Sequence, residues 1–256
     1  MTANLSRREA LAGMGSVSLG ALLVACGADN GSSSTTEVAT TEGTTTTVEA
    51  QGGGAGLAAL FDDTSACALT PEETEGPYYF DVDAIRSDIR EDREGLPLRI
   101  AIRVRDESCE PLQNAVVDIW HCDANGIYSG FESASQGGPG GAGSGPSDEE
   151  TYLRGAQVTN GDGIVEFTTV YPGWYRGRTV HIHAKVHVDR ETVLTTQLYF
   201  DEDVTSKVYE RDPYASDSGR EAFNDSDGLF DEALLLDLSP EGQGYLGVIS
   251  FDTAAA

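Results

Sequence analysis

Short runs of alternating apolar and polar residues recur along the chain from residue 98 onward. In residues 98–105, apolar side chains occupy every second position: Leu98, Ile100, Ile102 and Val104. This period of two is typical of a half-buried β-strand. Similar runs at residues 115–122, 152–158, 163–170, 179–188, 192–200 and 243–252 predict further strands. Helical periodicity is scarce, so the pattern predicts an all-β fold, an antiparallel β-sandwich with long loops.

The segments between these runs carry turn and loop signals. The sequence Asn-Gly-Asp-Gly at residues 160–163 predicts a hairpin that joins strands 152–158 and 163–170. Residues 189–191 separate a second predicted pair, 179–188 and 192–200. The glycine-rich residues 133–150 predict a mobile surface loop, and residues 201–237 predict an acidic segment that is mostly loop with one short helix.

The N-terminal part of the chain has the pattern of an export signal. Arg7 and Arg8 precede an apolar stretch that ends Leu-Val-Ala-Cys at Cys26, which resembles a bacterial lipobox. We therefore expect residues 1–25 to be a twin-arginine lipoprotein signal, with a lipid on Cys26. The alternative is an ordinary secretory signal followed by a chance cysteine. Residues 26–56 are rich in Gly, Ser and Thr and predict a flexible tether, which leaves residues 57–256 as one domain.

The negative charge of the chain restricts the classes of molecule that it can bind. Its 256 residues carry a formal charge of −27, whereas a nucleic-acid-binding protein needs a basic face. We expect no nucleic acid partner, and contact with a membrane only through the lipid on Cys26. The expected location is outside the cytoplasm, either lipid-anchored to the outer face of the cell membrane or secreted.

An oxidising location favours a disulfide among Cys67, Cys109 and Cys122. At strand rise, Cys122 is roughly 23 Å beyond the turn that holds Cys109, so a bond between these two looks strained. We expect Cys67 to pair with one of the other two, with Cys122 preferred.

The most informative stretch contains His181 and His183. Alternate residues of a strand point to one face, so both imidazoles are expected on the same side. Tyr175 precedes this pair in a turn-like run, and Tyr128 follows the strand 115–122. Phenolate is a hard donor that suits Fe(III), while imidazole binds iron, zinc or copper.

Other candidate ligands have less support. We expect His121, on the opposite strand face from its neighbours, to be structural or to support the site from behind, and His187 to lie on the surface. The segments 123–126 and 225–228 resemble calcium loops, but both lack the carboxylate at the end of the loop that such a site needs.

Several motifs together resemble the intradiol ring-cleavage dioxygenases, the protocatechuate and catechol dioxygenase type, in their exported single-domain branch. The similarity covers about residues 67–205. It rests on Thr-Glu-Gly-Pro-Tyr-Tyr at 74–79, Val-Asp-Ile-Trp-His-Cys-Asp-Ala-Asn-Gly at 117–126 with Tyr128, Pro-Gly-Trp-Tyr at 172–175, Arg178 with His181 and His183, and Thr-Gln-Leu-Tyr-Phe at 196–200.

The resemblance implies a non-haem Fe(III) held by four ligands: Tyr128, Tyr175, His181 and His183. It further implies that Arg178 stabilises negative charge on the substrate, that Tyr175 leaves the metal and takes a substrate proton, and that Gln197 lies near the iron. The family's substrate pocket implies that Gly76, Pro77 and Tyr78 line this site. The implied reaction inserts O2 into a catechol-type aromatic and cleaves the ring between the two hydroxylated carbons, giving a muconate-type diacid.

Two other functions are compatible with these residues. A secreted β-sandwich could bind iron or a catecholate ligand without turnover. A zinc or copper protein could use His181 and His183 alone. The catechol dioxygenase branch has a helical dimerisation region before its β-domain; residues 27–66 instead resemble a tether and loop, so we expect a monomer.

Overall fold

The computed structural model describes residues 35–39, 45–49, 56–61, 67–82, 84–141, 143–188, 191–216 and 219–255. The predicted signal 1–25 and the predicted lipidation site Cys26 lie outside the described residues. Within the predicted tether, β1 (Thr35–Ala39) and β2 (Thr45–Glu49) pair antiparallel. Across the described residues, no helix combines the length and apolarity required to span a membrane.

The domain consists of two four-stranded sheets. The first has the order β5-β4-β7-β8, with all neighbours antiparallel. Its strands are β4 (Val116–Trp120), β5 (Arg154–Val158), β7 (His181–Val188) and β8 (Glu191–Tyr199). The second has the order β6-β3-β10-β9, in which β3 and β10 are parallel. Its strands are β3 (Pro97–Arg105), β6 (Ile164–Val170), β9 (Asp237–Glu241) and β10 (Gly244–Asp252).

The main core lies between the sheets. Alternate residues of β3, such as Ile100 and Ile102, meet residues of β7, such as Ile182 and Ala184, in one buried cluster. The predicted all-β sandwich is therefore confirmed. Because Ile182 and Ala184 face this core, His181 and His183 lie on the outer face of the first sheet, where loops bury them.

Strand β3 differs from the half-buried strand that its pattern predicts. Its outer face is also covered, because a short 3₁₀ helix, Leu57–Leu60, and Phe61 pack on Ala101. The guanidinium of Arg103 lies 4.6 Å from the centre of the Phe61 ring, and Arg105 forms a 2.6 Å ion pair with Asp252. Long cations can line a covered face when a ring or a carboxylate receives the charge.

The predicted hairpin across residues 160–163 is wrong, although the turn itself is present. Asn160 Oδ1 accepts hydrogen bonds from the backbone N–H groups of Asp162 and Ile164, both at 2.9 Å. Val104 N donates to Gly163 O at 2.8 Å, which draws the chain onto β3. Consequently β5 and β6 belong to different sheets, and the turn crosses between them. The second predicted hairpin is confirmed, since β7 pairs with β8.

The remaining elements are short. Helix α1 (Glu132–Ser135) lies in the glycine-rich segment, and α2 (Glu202–Val208) is the helix expected after residue 201. Asp201 caps α2, because its side chain accepts from Asp203 N and Val204 N. Two further 3₁₀ helices, Tyr214–Ser216 and Glu232–Leu234, interrupt the acidic C-terminal segment.

The disulfide joins Cys67 to Cys109, with their Cα atoms 5.8 Å apart, so the preference for Cys122 as the partner is wrong. Ala68 N donates to Asp252 at the end of β10, which places Cys67 near the turn that follows β3. Cys122 is buried instead in a cluster of aromatic residues, and its thiol donates to the Gly173 carbonyl at 3.4 Å.

Candidate metal centre

Strand β7 presents two imidazoles side by side. The rings of His181 and His183 lie 4.7 Å apart, nearly perpendicular, and both are buried. Their Nε2 atoms are 3.1 Å from each other. The alternation of side chains along β7 therefore brings two nitrogen donors to one point, as the sequence predicts.

The orientation of the His181 ring is fixed by its own backbone. Its Nδ1 donates to the Thr179 carbonyl at 2.7 Å, which leaves Nε2 with a free lone pair. Burial, and secondarily the positive charge of Arg178, lowers the pKa of His181 to about 3. The ring is consequently neutral at ordinary pH, the form in which imidazole binds metals.

The His183 ring is held by contacts with Trp120 and Gly76. One face stacks on the indole of Trp120, with ring centres 5.0 Å apart and planes within 5° of parallel. Gly76 lies against the ring: a Cβ placed on this glycine would be 2.9 Å from His183 Cε1. Burial and the neighbouring His181 keep the pKa of His183 well below its ordinary value, so this ring is neutral as well.

A tight turn folds Tyr175 back onto the histidines. Arg178 N donates to Tyr175 O at 3.4 Å, and Gly177 adopts a left-handed φ of 84°. The Tyr175 hydroxyl is thereby 2.9 Å from His181 Nε2. The six-residue spacing of these two side chains brings them together as expected.

Tyr128 reaches the site from the loop after β4. Asp123 Oδ1 accepts from Asn125 N at 2.9 Å and from Ile127 N at 3.0 Å, which forms the turn that aims Tyr128 inward. The Tyr128 ring is fully buried, 5.6 Å from the ring of Tyr175. Among the described residues, nothing makes a hydrogen bond of normal geometry to its hydroxyl.

Hydrogen bonds among these four side chains satisfy their polar atoms less well than binding to a shared metal ion would. The single lone pair of His181 Nε2 faces both the Tyr175 hydroxyl and His183 Nε2, at 2.9 and 3.1 Å. Two ligands at about 2.1 Å from a shared ion, at right angles, are separated by about 3.0 Å. Burial raises the pKa of Tyr128 and of Tyr175, and a nearby cation reverses that effect. A cation therefore satisfies the crowded lone pair and the buried phenols together.

The chemistry of the donors restricts the metal. Within the described part of the chain, no group of three or more histidine, cysteine, aspartate or glutamate side chains could hold a metal ion. The cluster is complete only with its phenol oxygens, which are hard anionic donors after losing their protons. Such donors favour a highly charged ion such as Fe(III) over zinc or copper.

Arg178 is anchored beside the histidines. Its Nε donates to Asp227 at 2.8 Å, and its Nη2 donates to Gln197 Oε1 at 2.6 Å. Nη2 also approaches the Tyr199 hydroxyl, at 3.3 Å. Gln197 in turn donates to the Thr74 carbonyl at 3.0 Å. Gln197 thus connects the arginine to the loop that precedes Gly76, rather than facing open space.

The predicted substrate segment borders the same cluster. The ring of Tyr78 lies 4.8 Å from that of Tyr128 and 6.3 Å from that of Tyr175. Pro77 is exposed, and Gly76 packs against His183 as described. The structure therefore brings Gly76 and Tyr78 against the four donors, and that these residues and Pro77 line a substrate pocket stays a prediction.

The other two histidines are both buried, which agrees with the prediction for His121 and contradicts the prediction for His187. His121 is structural: its Nδ1 donates to the Cys122 carbonyl and its Nε2 accepts from Thr169, both at 2.7 Å. His187 is not on the surface, because it is 2% exposed and its Nδ1 is 2.9 Å from the Thr192 hydroxyl. The pairing of β7 with β8 shifts register at this point, so that His187 lies opposite Thr192.

Sequence reasoning missed Asp227, Tyr199 and Trp120 as parts of the site. Asp227 lies in one of the segments that resemble a calcium loop, but its carboxylate binds Arg178 and the Thr179 N–H. Their separation of 49 residues hides the contact from any local pattern. The pairing of Trp120 with His183 across β4 and β7 is likewise visible only from the strand register.

Known proteins share the sequence pattern and the fold of this chain. A family model described as a dioxygenase matches residues 74–221, more than half of the chain. The solved structure of an intradiol ring-cleavage dioxygenase from Tetranychus urticae is 36% identical, with a TM-score of 0.69 and coverage of 73% of this chain and 94% of that one. The chain belongs to the intradiol ring-cleavage dioxygenase family.

Other family members share part of the chain. The dioxygenase domain of a dioxygenase carbohydrate-binding protein fusion from Streptomyces sp. SirexAA-E is 31% identical, with a TM-score of 0.56 and coverage of 74% of this chain and 100% of that one. Chlorocatechol 1,2-dioxygenase of Rhodococcus opacus is 31% identical over 134 residues, which are 45% of this chain and 48% of that protein. The chain spans about half the length of the curated relatives it matches.

Proposed function

We propose that this intradiol dioxygenase family member binds a non-haem Fe(III) through Tyr128, Tyr175, His181 and His183. In this proposal it cleaves a catechol-type aromatic with O2 between the two hydroxylated carbons, giving a muconate-type diacid. The observation that carries the proposal is the convergence of Tyr175 Oη, His181 Nε2 and His183 Nε2 within 3.1 Å of their neighbours, beside the buried Tyr128 hydroxyl.

The two tyrosines differ in freedom, which suggests different roles. Tyr128 is fully buried in the aromatic cluster with Trp120 and Phe131. Tyr175 is only half-buried and lies in a turn next to the exposed Arg176 and Gly177. Tyr175 is the more exposed of the two, so in this proposal it is the ligand that leaves the metal and accepts a proton from a catechol hydroxyl at its Oη. Bound iron supplies the Lewis acidity that lets the catechol lose its protons and react with O2.

Arg178 supplies a fixed positive charge. Its Nε and Nη2 are occupied by protein acceptors, and among the described residues none is bonded to Nη1. That unengaged nitrogen can stabilise negative charge that develops on the substrate in the transition state. The Arg178 side chain is only 16% exposed, and reduced screening by solvent strengthens this interaction.

The location outside the cytoplasm is part of the proposal. It rests on the twin arginines and on Cys26, with the residues after Cys26 acting as a tether to the membrane. A monomer with catechol and O2 as its only partners completes this proposal.

Metal content and colour test the function. Purified protein is expected to contain one iron per chain and to be red, because tyrosinate donates an electron to Fe(III) on absorbing visible light. Tyr175→Phe and Tyr128→Phe should each change that band, whereas Tyr245→Phe, in β10 of the second sheet, should not. Colourless, iron-free protein that leaves catechol untouched contradicts the proposal. Protein that binds iron and catechol without consuming O2 is a non-catalytic binding protein. Zinc or copper in place of iron indicates a metalloprotein that uses His181 and His183 alone.

A further inference from the structure

The carboxylate of Asp227 holds together two parts of the candidate site. Its Oδ2 accepts from Arg178 Nε and from the Thr179 N–H, both at 2.8 Å. Its Oδ1 accepts from Leu229 N at 2.9 Å. The side chain is only 2% exposed. Buried carboxylates with this many charge-assisted or backbone donors are rigidly oriented.

One contact fixes the direction of Arg178. Holding Nε on Asp227, while Nη2 binds Gln197 and Tyr199, turns Nη1 toward the side of the guanidinium that has no protein acceptor. Arginine has five N–H groups in one rigid plane, so fixing two nitrogens sets the third. Without Asp227 the long side chain would be free to rotate about its remaining bonds.

The other contact reaches the imidazole of His181. Asp227 fixes the N–H of Thr179, and the Thr179 hydroxyl donates to Asn224 Oδ1 at 2.7 Å. The Thr179 carbonyl is the group that accepts from His181 Nδ1 at 2.7 Å. One carboxylate thus sets the arginine directly and the histidine through a single residue. The partner groups of ligand histidines commonly control ring orientation in this way.

We propose that Asp227 is a positioning residue that aligns Arg178 and His181 with each other in the candidate site. This assignment rests on the proposed function for its kinetic consequences, but its geometric content does not. Asp227 lies beyond residues 74–221, the part of the chain that matches the family model, so the C-terminal segment of this chain completes the site.

Chemical labelling tests the geometry without any turnover. Phenylglyoxal modifies accessible arginines, and mass spectrometry quantifies the product at Arg178. Asp227→Ala should raise the labelling rate of Arg178 about tenfold, and Asp227→Asn less, because Asn retains an acceptor oxygen. Asp225→Asn is the matched control, because Asp225 is exposed and lies two residues from Asp227. In this variant Arg178 should be labelled at the wild-type rate. Equal rates in the Asp227→Ala and Asp225→Asn variants overturn the proposal.

A double-mutant cycle with Arg178→Met tests the kinetic consequence. Misplacement of a catalytic group by about 1 Å can cost about 10²-fold in rate, so Asp227→Ala should lower kcat on that order with a small change in KM. In the Arg178→Met background the same substitution should lose the part of its effect that acts through Arg178, so the combined loss in kcat should be smaller than the product of the two single losses. Effects that multiply, or a kcat loss that a lower Tm fully explains, overturn the proposal. A wild type that never consumes catechol refutes the proposed function, and labelling still decides the role of Asp227.

Discussion

Gly76→Ala tests whether the loop before Tyr78 holds the His183 ring in place. Gly76 has a φ of +73°, a conformation that costs an L-residue about 1–2 kcal/mol. The added Cβ would also lie 2.9 Å from His183 Cε1, closer than carbon atoms tolerate. Movement of the ring is restricted, because one face stacks on the Trp120 indole with ring centres 5.0 Å apart. Overpacking of this kind costs about 1–3 kcal/mol.

Gly137→Ala provides the matched control. Gly137 has a similar φ of +83°, but an added Cβ would meet nothing within 4 Å. The backbone penalty and the loss of conformational entropy in the unfolded state are therefore shared by the two variants. Gly76→Ala should unfold at a Tm roughly 2–12 °C below that of Gly137→Ala, from the extra 1–3 kcal/mol.

Metal binding provides the second readout for this pair. Displacement of His183 should reduce the iron content of Gly76→Ala and alter its visible band, while Gly137→Ala keeps both. Differential scanning calorimetry and metal analysis of the two variants give the answer. If Gly76→Ala has the Tm and iron content of Gly137→Ala, then the loop does not support His183 and the packing argument is wrong.

Three further predictions concern stability and specificity. Replacing Cys67 and Cys109 by Ser should destabilise the fold by about 4 kcal/mol, since the disulfide spans a separation of 42 residues; an unchanged urea midpoint would contradict this. Burial lowers the pKa of His121 to about 4, so the unfolded chain protonates this ring first as the pH falls below about 6.5. Between pH 6.5 and 4 the free energy of unfolding of the wild type should fall by up to about 3 kcal/mol more than that of His121→Gln. Urea titrations measure this free energy, and the same dependence on pH in both proteins would contradict the prediction. Arg178 Nη1 is assigned to the negative charge that develops on the reacting part of the substrate, and Lys185 is paired with Glu75. Catechol should therefore be turned over with a kcat/KM about tenfold or more above that of a ring-carboxylated catechol, and a preference for the acid would contradict this assignment.

The strands and the donor side chains of the candidate site are the features that the local sequence predicts best. The alternation in β3 and β7 identified both strands, and the period of two placed His181 and His183 on one face. The turn residues at 160–163 were recognised, yet their sheet partners were not. Turn chemistry specifies the bend, whereas the bond from Val104 to Gly163 decides which strand the chain joins next.

Most of the features that could not be predicted from the sequence depend on contacts between residues far apart in the chain. The disulfide partner of Cys67 depends on where Asp252 ends β10, far along the chain. The covered outer face of β3 depends on Phe61, which packs on it from a segment earlier in the chain. Asp227 reaches Arg178 across 49 residues. None of these contacts leaves a periodic signal near either partner, so each becomes visible only in three dimensions.

Products formed under ¹⁸O₂ would decide whether the tyrosine–histidine cluster is an iron centre for intradiol cleavage. Iron-loaded protein is incubated with catechol in ¹⁸O₂, and the products are analysed by mass spectrometry. We expect a muconate-type diacid that contains both atoms of one labelled O2 molecule, with one O2 consumed per catechol. Folded, iron-loaded protein that consumes no O2, or that yields a ring-opened aldehyde, would contradict the assignment.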